Sequence, residues 1–285
     1  MKQGPRPFLI LTNELLQQYR MKSILKRIHR FLSQFIFDPL QVINNWRSIP
    51  YFIHNIYRYS KINRDSSFKI HFSKIYFTTA DRFKSSGAIQ SHYFHQDLWA
   101  SRLIYEKGTK SHVDIGSRLD GFVANILTFC KVKYVDIRRM ESAVIGLDFV
   151  QGSITNLPFE DNSIDSLSCL HVLEHIGLGR YGDQIDPQGH EKGAKELSRV
   201  LKQYGLLYFG TPIGIESLHF DAHRVFDPQT VLNLFGDLDL VSYALIDDKA
   251  GLVQEDSDFT KSRLCKYGCG LFLFRKSYGL DKITL

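Results

Sequence analysis

The feature that most restricts the fold is the regular alternation of strand and helix patterns over the last two thirds of the chain. Runs rich in β-branched and aromatic residues are separated by stretches with apolar residues at helical spacing. Such alternation is typical of βαβ units, whose strands pair in parallel. Seven runs indicate strands: SHVDI, KVKYVDI, LDFVQG, SIDSLSCL, GLLYFGT, LDLVSYALID and GCGLFLFRKS. The pattern predicts an α/β protein with a Rossmann-like, doubly wound, seven-stranded sheet.

Helical patterns precede and separate these runs. They are QDLWASRLIYEKG before the first strand, then DGFVANILTFC, GAKELSRVLKQYG and DPQTVLNLFG. Upstream, the aromatic and β-branched stretch 66–79 predicts one or two short strands. We therefore divide the chain into a basic N-terminal extension, residues 1–95, and an α/β domain, residues 96–285.

Positive charge is concentrated in the N-terminal extension. Residues 1–100 hold 15 of the 36 Lys and Arg but only 5 of the 30 Asp and Glu. Residues 19–37 carry an apolar helical face and a basic opposite face, and Asp38-Pro39 ends the pattern. This helix either packs on its own domain or lies on an anionic membrane surface. We expect no nucleic-acid partner, since no recognition module accompanies the charge.

Apolar runs and cysteines bear on the compartment. No uncharged apolar run is long enough for a spanning helix, and no secretory signal pattern is present, so a cytoplasmic location is expected. The four cysteines form no disulfide framework, which favours a reducing compartment. Cys265 and Cys269 lack histidines nearby in the sequence, so we expect no metal site there.

The loop HVDIGSRLDGF has the position of a nucleotide-cofactor loop. Asp114 ends the first strand, Gly116 and Gly121 flank the turn, and Asp136 ends the second strand. An acid at the end of the second strand suits the two hydroxyls of a ribose. NAD fits poorly, because Arg118 stands where a pyrophosphate requires glycine. S-adenosylmethionine (SAM), which carries a sulfonium and no phosphate, fits an acidic first loop better. An ordinary βα turn with a strand-end acid remains the alternative.

The third and fourth strands extend the predicted cofactor site. Ser153 and Ile154, after the third strand, are expected along the adenine. The predicted cofactor contacts are Asp114, Gly116, Ser117, Gly121, Asp136, Ile137, Ser153, Ile154 and Leu170.

Residues 110–213 resemble a class I SAM-dependent methyltransferase, through the ordered blocks VDIGS, YVDI, LPFEDNSID, LHVLEHI and LKQYGLLYFGTP. Residues 77–276 more closely resemble an uncharacterised methyltransferase-like family, a domain of unknown function whose members occur among bacterial surface-polysaccharide genes. The blocks HYFHQDLWAS, VDIGSRLDGFVA, VDIR, LHVLEHIGLGRYGDQIDPQGHEKGAKELSRVL and YGCGLFLF carry that resemblance. It implies the fold and a polysaccharide setting, without a known reaction.

A glycine-rich polar loop, residues 171–193, follows the fourth strand, where donor and acceptor meet in this fold. Methyl transfer to a hydroxyl requires a base, and histidine suits that role. The candidate bases are His171, His175 and His190. The candidate acceptor contacts are Tyr181, Asp183, Asp186, His223 and Arg224. Structural roles compete with these: a hydrogen-bonded His175, turns at the two aspartates, and an ion-paired Arg224.

The sequence thus predicts a SAM-dependent methyltransferase that acts on a hydroxyl of a sugar or lipid-linked glycan in surface-polysaccharide synthesis. It is expected in the cytoplasm, and at the inner membrane if residues 19–37 lie on an anionic membrane surface rather than on their own domain. A non-catalytic methyltransferase-fold partner in a glycan-assembly complex is one alternative. An NAD-type or nucleotide-sugar oxidoreductase is another, which Arg118 opposes.

Overall fold

The computed structural model describes residues 39–63, 68–71, 73, 75–76, 92–141, 143–248, 253–256 and 259–277. The chain divides into two compact units, Met1–Ala88 and Ile89–Leu285. In the first, helix α1 spans Pro39–Ile62. The amphipathic segment 19–37 lies outside the described residues. In the stretch 66–79, only residues 68–71, 73 and 75–76 are described, and these contain no strand.

None of the helices within the described ranges combines the length and apolar character that a bilayer-crossing helix requires. The predicted domain boundary between residues 95 and 96 falls within helix α2, which spans His92–Glu106.

The second unit is built on a mixed sheet. Its first five strands, all parallel where they pair, are β1 (Ser111–Ile115), β2 (Lys131–Asp136), β3 (Leu147–Gln151), β4 (Ile164–Leu170) and β5 (Leu201–Ile213). The later strands are β8 (Asp239–Ile246), β9 (Val253–Glu255) and β10 (Gly268–Arg275). The strand order is β3-β2-β1-β4-β5-β10-β8-β9.

The predicted α/β sheet is confirmed, with one addition. All seven predicted strands form, and β10 runs antiparallel to both β5 and β8. Among the described residues the sheet has an eighth strand, β9, which pairs antiparallel with the edge strand β8. Only three residues long, β9 is too short to show an alternating pattern in the sequence. A separate hairpin is formed by β6 (Ser217–His219) and β7 (His223–Val225).

The helices between strands are shorter than their patterns predict. The predicted helix 120–130 is a five-residue π turn, Leu119–Val123, followed by α3 (Ala124–Ile126). Helix α4 spans Gly189–Val200, and α5 spans Pro228–Leu234. The helix predicted to continue to residue 205 ends at Val200, because Leu201 already pairs with Ile164 of β4. Sheet pairing here overrides the local helical pattern.

Helices cover both faces of the sheet. One apolar cluster includes Leu197 of α4 and Phe235 after α5, packed with residues of the central strands. A second cluster includes Ala100 and Ile104 of α2, packed with Phe122 of the π turn. Because both faces are covered, the carboxyl ends of the parallel strands are the exposed edge at which a ligand can enter.

Candidate functional site

A cavity of about 320 Å³ opens at the carboxyl ends of β1, β2 and β4. β1 and β4 are neighbours in the sheet, and the chain runs outward from them in opposite directions, so this is the switch point of the fold. Its wall includes Gly116 after β1, Asp136 at the end of β2, and His171 after β4. The place predicted for a cofactor is therefore a real cavity.

The first loop is closed by a buried carboxylate. Asp114 accepts hydrogen bonds from the backbone N–H and the hydroxyl of Ser117, at 2.9 and 2.6 Å, and from the Ser168 hydroxyl. Burial raises the pKa of Asp114 to about 6. Neither Asp114 nor Ser117 is part of the cavity wall. Both were predicted as cofactor contacts, and the structure gives them the role of shaping the loop.

Gly116 brings the loop close to the segment that follows β4. It has a φ of +65°, and an added Cβ would lie 3.3 Å from both γ-carbons of Val172. A residue with a side chain would also be strained here, because a positive φ lies in the left-handed region that glycine tolerates best. Gly116 and Val172 together line the cavity, so the backbone here is open to a close-lying ligand.

Two other predicted cofactor residues lie behind the wall. At Gly121 an added Cβ would be 2.2 Å from Asp97 Oδ2, so this glycine lets the π turn pack on α2. Leu170 is buried, and its backbone N–H donates to Ser117 Oγ at 3.2 Å. Neither residue lines the cavity. Their role is to fix the loop, not to contact a ligand.

Asp136 lies in the cavity wall and is paired with a residue that sequence reasoning did not single out. The Nε and Nη2 atoms of Arg138 donate to its two oxygens at 2.9 and 2.7 Å, and the Arg138 backbone N–H donates at 2.8 Å. Burial raises the pKa of Asp136, but these bonds outweigh it and hold the pKa below its usual value. The arginine two positions after the strand-end acid was visible in the VDIR block.

The guanidinium of Arg138 also lies over the ring of Tyr181, 4.8 Å from its centroid. Tyr181, predicted as an acceptor contact, lines the cavity with Arg138. The remaining wall includes Ile137, which is half-exposed, and Ser153 and Ile154, as predicted. These residues give a partly apolar slot beside a carboxylate.

His171 follows β4 in a left-handed conformation, with φ of +55°. Its Nδ1 is 2.5 Å from Gln96 Oε1, and since that oxygen accepts, Nδ1 carries the proton. The other nitrogen, Nε2, is buried and has no hydrogen-bond partner within the described part of the chain. Burial lowers the pKa of His171 to about 3, so the ring is neutral at pH 7. His171 lines the cavity, as predicted.

His175 also lines the cavity, beside a second buried acid. Its Nδ1–H donates to the Ala222 carbonyl at 2.6 Å, which leaves a lone pair on Nε2. That nitrogen is 3.7 Å from Glu174 Oε1. Burial lowers the pKa of His175 to about 4 and raises that of Glu174 to about 8. At neutral pH both side chains are therefore uncharged.

Three residues predicted for the acceptor side of the site also do not line the cavity. The His190 ring packs against Phe226, with centroids 5.8 Å apart. His223 stacks against His219 at 5.0 Å and contacts Tyr267 at 4.9 Å. Arg224 donates to the backbone carbonyls of Glu174, Ile176 and Pro187 at 3.3, 2.7 and 3.3 Å. Its guanidinium joins the 171–189 loop to the β6–β7 hairpin, so the predicted acceptor contact has a structural role instead.

Asp183 and Asp186 line the cavity, but other groups already engage their carboxylates. Asp183 accepts from the backbone N–H groups of Gly177, Gly179 and Tyr181 at 2.7 to 3.3 Å. Asp186 pairs with Lys192 Nζ at 2.7 Å and accepts from the Gln188 backbone N–H. These are the turn-forming roles that the sequence left open as alternatives.

Comparison with known proteins gives a family. A family model described as "Caenorhabditis protein of unknown function, DUF268" matches residues 119–264. No curated protein matches the chain.

Among solved structures, 1,6-didemethyltoxoflavin-N1-methyltransferase from Burkholderia thailandensis, with S-adenosylhomocysteine bound, has a TM-score of 0.46 and 16% identity over 65% of this chain and 79% of its own. The N-methyltransferase NodS from Bradyrhizobium japonicum, also with S-adenosylhomocysteine, has a TM-score of 0.45 and 14% identity over 79% and 98%. At these identities and TM-scores the likeness does not identify a function for this chain.

Proposed function

The chain belongs to this family of unknown function, since its model covers just over half of the residues, and we propose that it is a SAM-dependent methyltransferase. The observation that carries the proposal is the position of Asp136. Its carboxylate ends β2 in the wall of the switch-point cavity, where an acid binds the two hydroxyls of a ribose. Bound there, SAM would supply an electrophilic methyl group.

The residues present fit such a cofactor. Gly116 leaves the first loop without a side chain where it meets Val172, so a ligand can lie against the backbone. Ile137 and Ile154 supply apolar surface suited to an adenine ring. Arg118, which opposes a pyrophosphate, is held by Asp120 at 2.6 Å and is not part of the cavity wall.

His175 is the base we propose for the acceptor hydroxyl. Its Nε2 lone pair is fixed by the hydrogen bond from Nδ1–H to Ala222, and its ring lines the cavity. When Nε2 takes the hydroxyl proton, an imidazolium forms 3.7 Å from the Glu174 carboxyl group. Because a neighbouring positive charge favours the ionised form of a carboxyl group, this imidazolium would lower the pKa of Glu174. The hydroxyl oxygen gains the methyl group and loses its proton to His175.

The finer parts of the proposal rest on the sequence. We propose a sugar or lipid-linked glycan as the acceptor, in line with the resemblance to proteins of surface-polysaccharide gene clusters. The description of the matching family model names Caenorhabditis and no reaction. It therefore adds no support for that setting. A cytoplasmic location, with residues 19–37 on an anionic membrane, belongs to the same proposal.

A non-catalytic methyltransferase-fold partner is the second candidate, and the Asp136–Arg138 pair favours it. The guanidinium occupies both carboxylate oxygens, so ribose hydroxyls must displace or share those bonds. An arginine beside this acid is also a group that could bind a phosphate, as in NADP-binding proteins. Direct titration with several ligands separates these possibilities.

We expect calorimetric titration to show binding of S-adenosylhomocysteine and no binding of NAD or NADP. The Asp136→Asn variant should lose about 1.5–3 kcal/mol of binding free energy, about 10- to 150-fold in Kd, because charge-assisted hydrogen bonds to the ribose are lost. Asp148→Asn, an exposed position on β3, is the matched control and should bind normally. Binding of NADP alone would identify a different cofactor class, and binding of no ligand would favour the non-catalytic partner.

The base is tested by His175→Ala, assayed as S-adenosylhomocysteine release with a panel of sugars. Turnover should fall by about 10²–10⁴-fold with cofactor affinity nearly unchanged, since only proton transfer is removed. His190→Ala is the control, because His190 follows the same loop but faces Phe226. An equal loss in both variants would contradict the assignment of His175.

A further inference from the structure

Three side chains from distant parts of the chain come together next to the cavity wall. His92 begins α2, His171 follows β4, and Cys269 is the second residue of β10. Their ligand-type atoms all lie within 4.8 Å of one another. The imidazoles of His92 and His171 have centroids 6.0 Å apart, and the His92 ring stacks on Tyr267 at 5.4 Å. His171 and Cys269 are buried and His92 is partly buried. Two imidazoles and a thiol so close together are the donor set of a transition-metal site.

We propose that His92, His171 and Cys269 bind one divalent transition metal ion of the zinc class. In this chain the site is independent of SAM binding, because none of the proposed cofactor contacts supplies a ligand. The nitrogen and sulfur donors favour zinc or cobalt over calcium or magnesium, which prefer oxygen. Three protein ligands leave a fourth position open, as in catalytic zinc sites.

The orientation of His171 supports the site. Gln96 Oε1 accepts the proton of Nδ1, and this leaves the Nε2 lone pair free for a ligand. Nε2 is buried without a hydrogen-bond partner, a costly state that a metal ion would relieve. Histidines that bind metals almost always donate their other N–H to an oxygen acceptor. Gln96 is that acceptor.

Charge balance supports it as well. Glu174 Oε1 is a second buried polar atom without a hydrogen-bond partner among the described residues, and the Thr211 hydroxyl donates to Oε2 at a long 3.5 Å. Burial is the largest cause of the raised pKa of Cys269, and the charge of Glu174 in its ionised form is the next largest. A thiolate and this carboxylate would together neutralise a divalent ion.

The geometry requires only a small adjustment. Zinc–nitrogen and zinc–sulfur bonds of about 2.0–2.3 Å place tetrahedral ligand atoms about 3.5 Å apart. The atoms therefore need to move together by about 1 Å, which side-chain rotation can provide. Burial raises the pKa of the Cys269 thiol well above its usual value, but a bound metal displaces that proton.

The sequence led to the opposite expectation. Cys265 and Cys269 are four positions apart, and no histidine lies near either one along the chain. The sheet brings these residues together. β10 and β4 both flank β5, and because β10 runs antiparallel to β5, the start of β10 lies at the same edge of the sheet as the end of β4. His171 also lines the cavity, so the ion would lie one side chain away from the acceptor.

The test is titration of the chelator-treated full chain with cobalt(II) alone. We expect one equivalent to bind and to give a thiolate-to-cobalt charge-transfer band, which zinc then abolishes by competition. Cys269→Ser should remove the band, and Gln96→Ala should weaken cobalt binding about 10- to 100-fold, because the hydrogen bond that orients the His171 ring is lost. Cys265→Ser is the matched control and should keep the band.

Absence of a band from the wild type, or its persistence in Cys269→Ser, would overturn the proposal, as would its loss in Cys265→Ser. Circular dichroism and S-adenosylhomocysteine binding of each variant report whether it is folded. A wild type that binds cobalt but no S-adenosylhomocysteine would retain the metal site and reject the proposed function.

Discussion

Single buried polar residues set the shape of the first loop. His112 in β1 is fully buried, with Nδ1 2.7 Å from Ser166 Oγ and Nε2 2.8 Å from Ser168 Oγ. Ser168 in turn donates to Asp114, the carboxylate that closes the loop. A neutral imidazole is thus linked through one hydroxyl to the end of β1. Protonation of His112 would introduce an uncompensated charge into the core.

This predicts a specific pH dependence of stability. Burial lowers the pKa of His112 from 6.5 to about 3, so the folded chain binds fewer protons than the unfolded chain between these values. The stabilising contribution is complete above pH 6.5 and is lost as the pH falls toward 3. We expect His112→Gln to reduce the slope of unfolding free energy against pH by about 1 kcal/mol per pH unit in this window.

Denaturant unfolding of both proteins between pH 7.5 and 4.5 measures that slope. The variant must be compared directly with the wild type, because the raised pKa of Asp114, about 6, acts in the opposite sense below that pH. Equal slopes in the two proteins would show that His112 titrates normally in the folded chain.

At this scale the sequence predicted positions better than partners. Gly116 and Asp136 lie in the cavity because strand ends can be located from local patterns. Arg138 and Gln96 were missed as site residues. The role of Gln96 depends on a contact with His171, 75 positions away in the chain. Such contacts follow from the packing of elements and leave no mark on neighbouring residues.

Among the elements, the 171–189 loop is stabilised by hydrogen bonds between side chains and its own backbone. Arg224 of β7 fastens it through three carbonyls, and Asp183 accepts from three of its N–H groups. Gly177 lies at the closest crossing: an added Cβ would be 1.8 Å from the Asp186 carbonyl oxygen. Gly177 therefore allows the loop to pack tightly at this crossing.

Gly177→Ala and Gly182→Ala form a matched pair that tests this packing. Both glycines have φ near +80°, so both variants carry a left-handed alanine, at about 1–2 kcal/mol. Only Gly177 meets another atom, since nothing lies within 4 Å of a Cβ at Gly182. We expect Gly177→Ala to be less stable by a further 1–3 kcal/mol in denaturant unfolding and to be cleaved faster in the loop by protease. Equal stabilities would mean that the loop opens at little cost.

Element order was predictable, while element ends were not. Strand runs were recognised because parallel strands buried on both faces are continuously apolar. The ends of helices depend on competition with the sheet, as at Val200, and on tight packing, as at Gly121 beside Asp97. Both depend on residues distant in sequence.

For the molecule as a whole, a cofactor that binds at the strand ends must stabilise the folded state. At a concentration of 100 times Kd, S-adenosylhomocysteine should add about 2.7 kcal/mol to the unfolding free energy. For a domain of this size that raises Tm by about 5–10 °C. Scanning calorimetry checks this, with NAD at equal concentration as the control. In Asp136→Asn the shift at the same concentration should fall by at least half, and an unchanged shift would place the ligand elsewhere.

The left-handed backbone at His171 has a consequence for how the family diverges. Glycine would adopt a φ of +55° with no steric cost, whereas histidine bears about 1–2 kcal/mol of backbone strain there. A chain selected only for folding would gain from glycine at this position. Retention of the imidazole in a relative would therefore mark selection for its chemistry, and glycine would mark a copy that has kept the architecture without the proposed metal site.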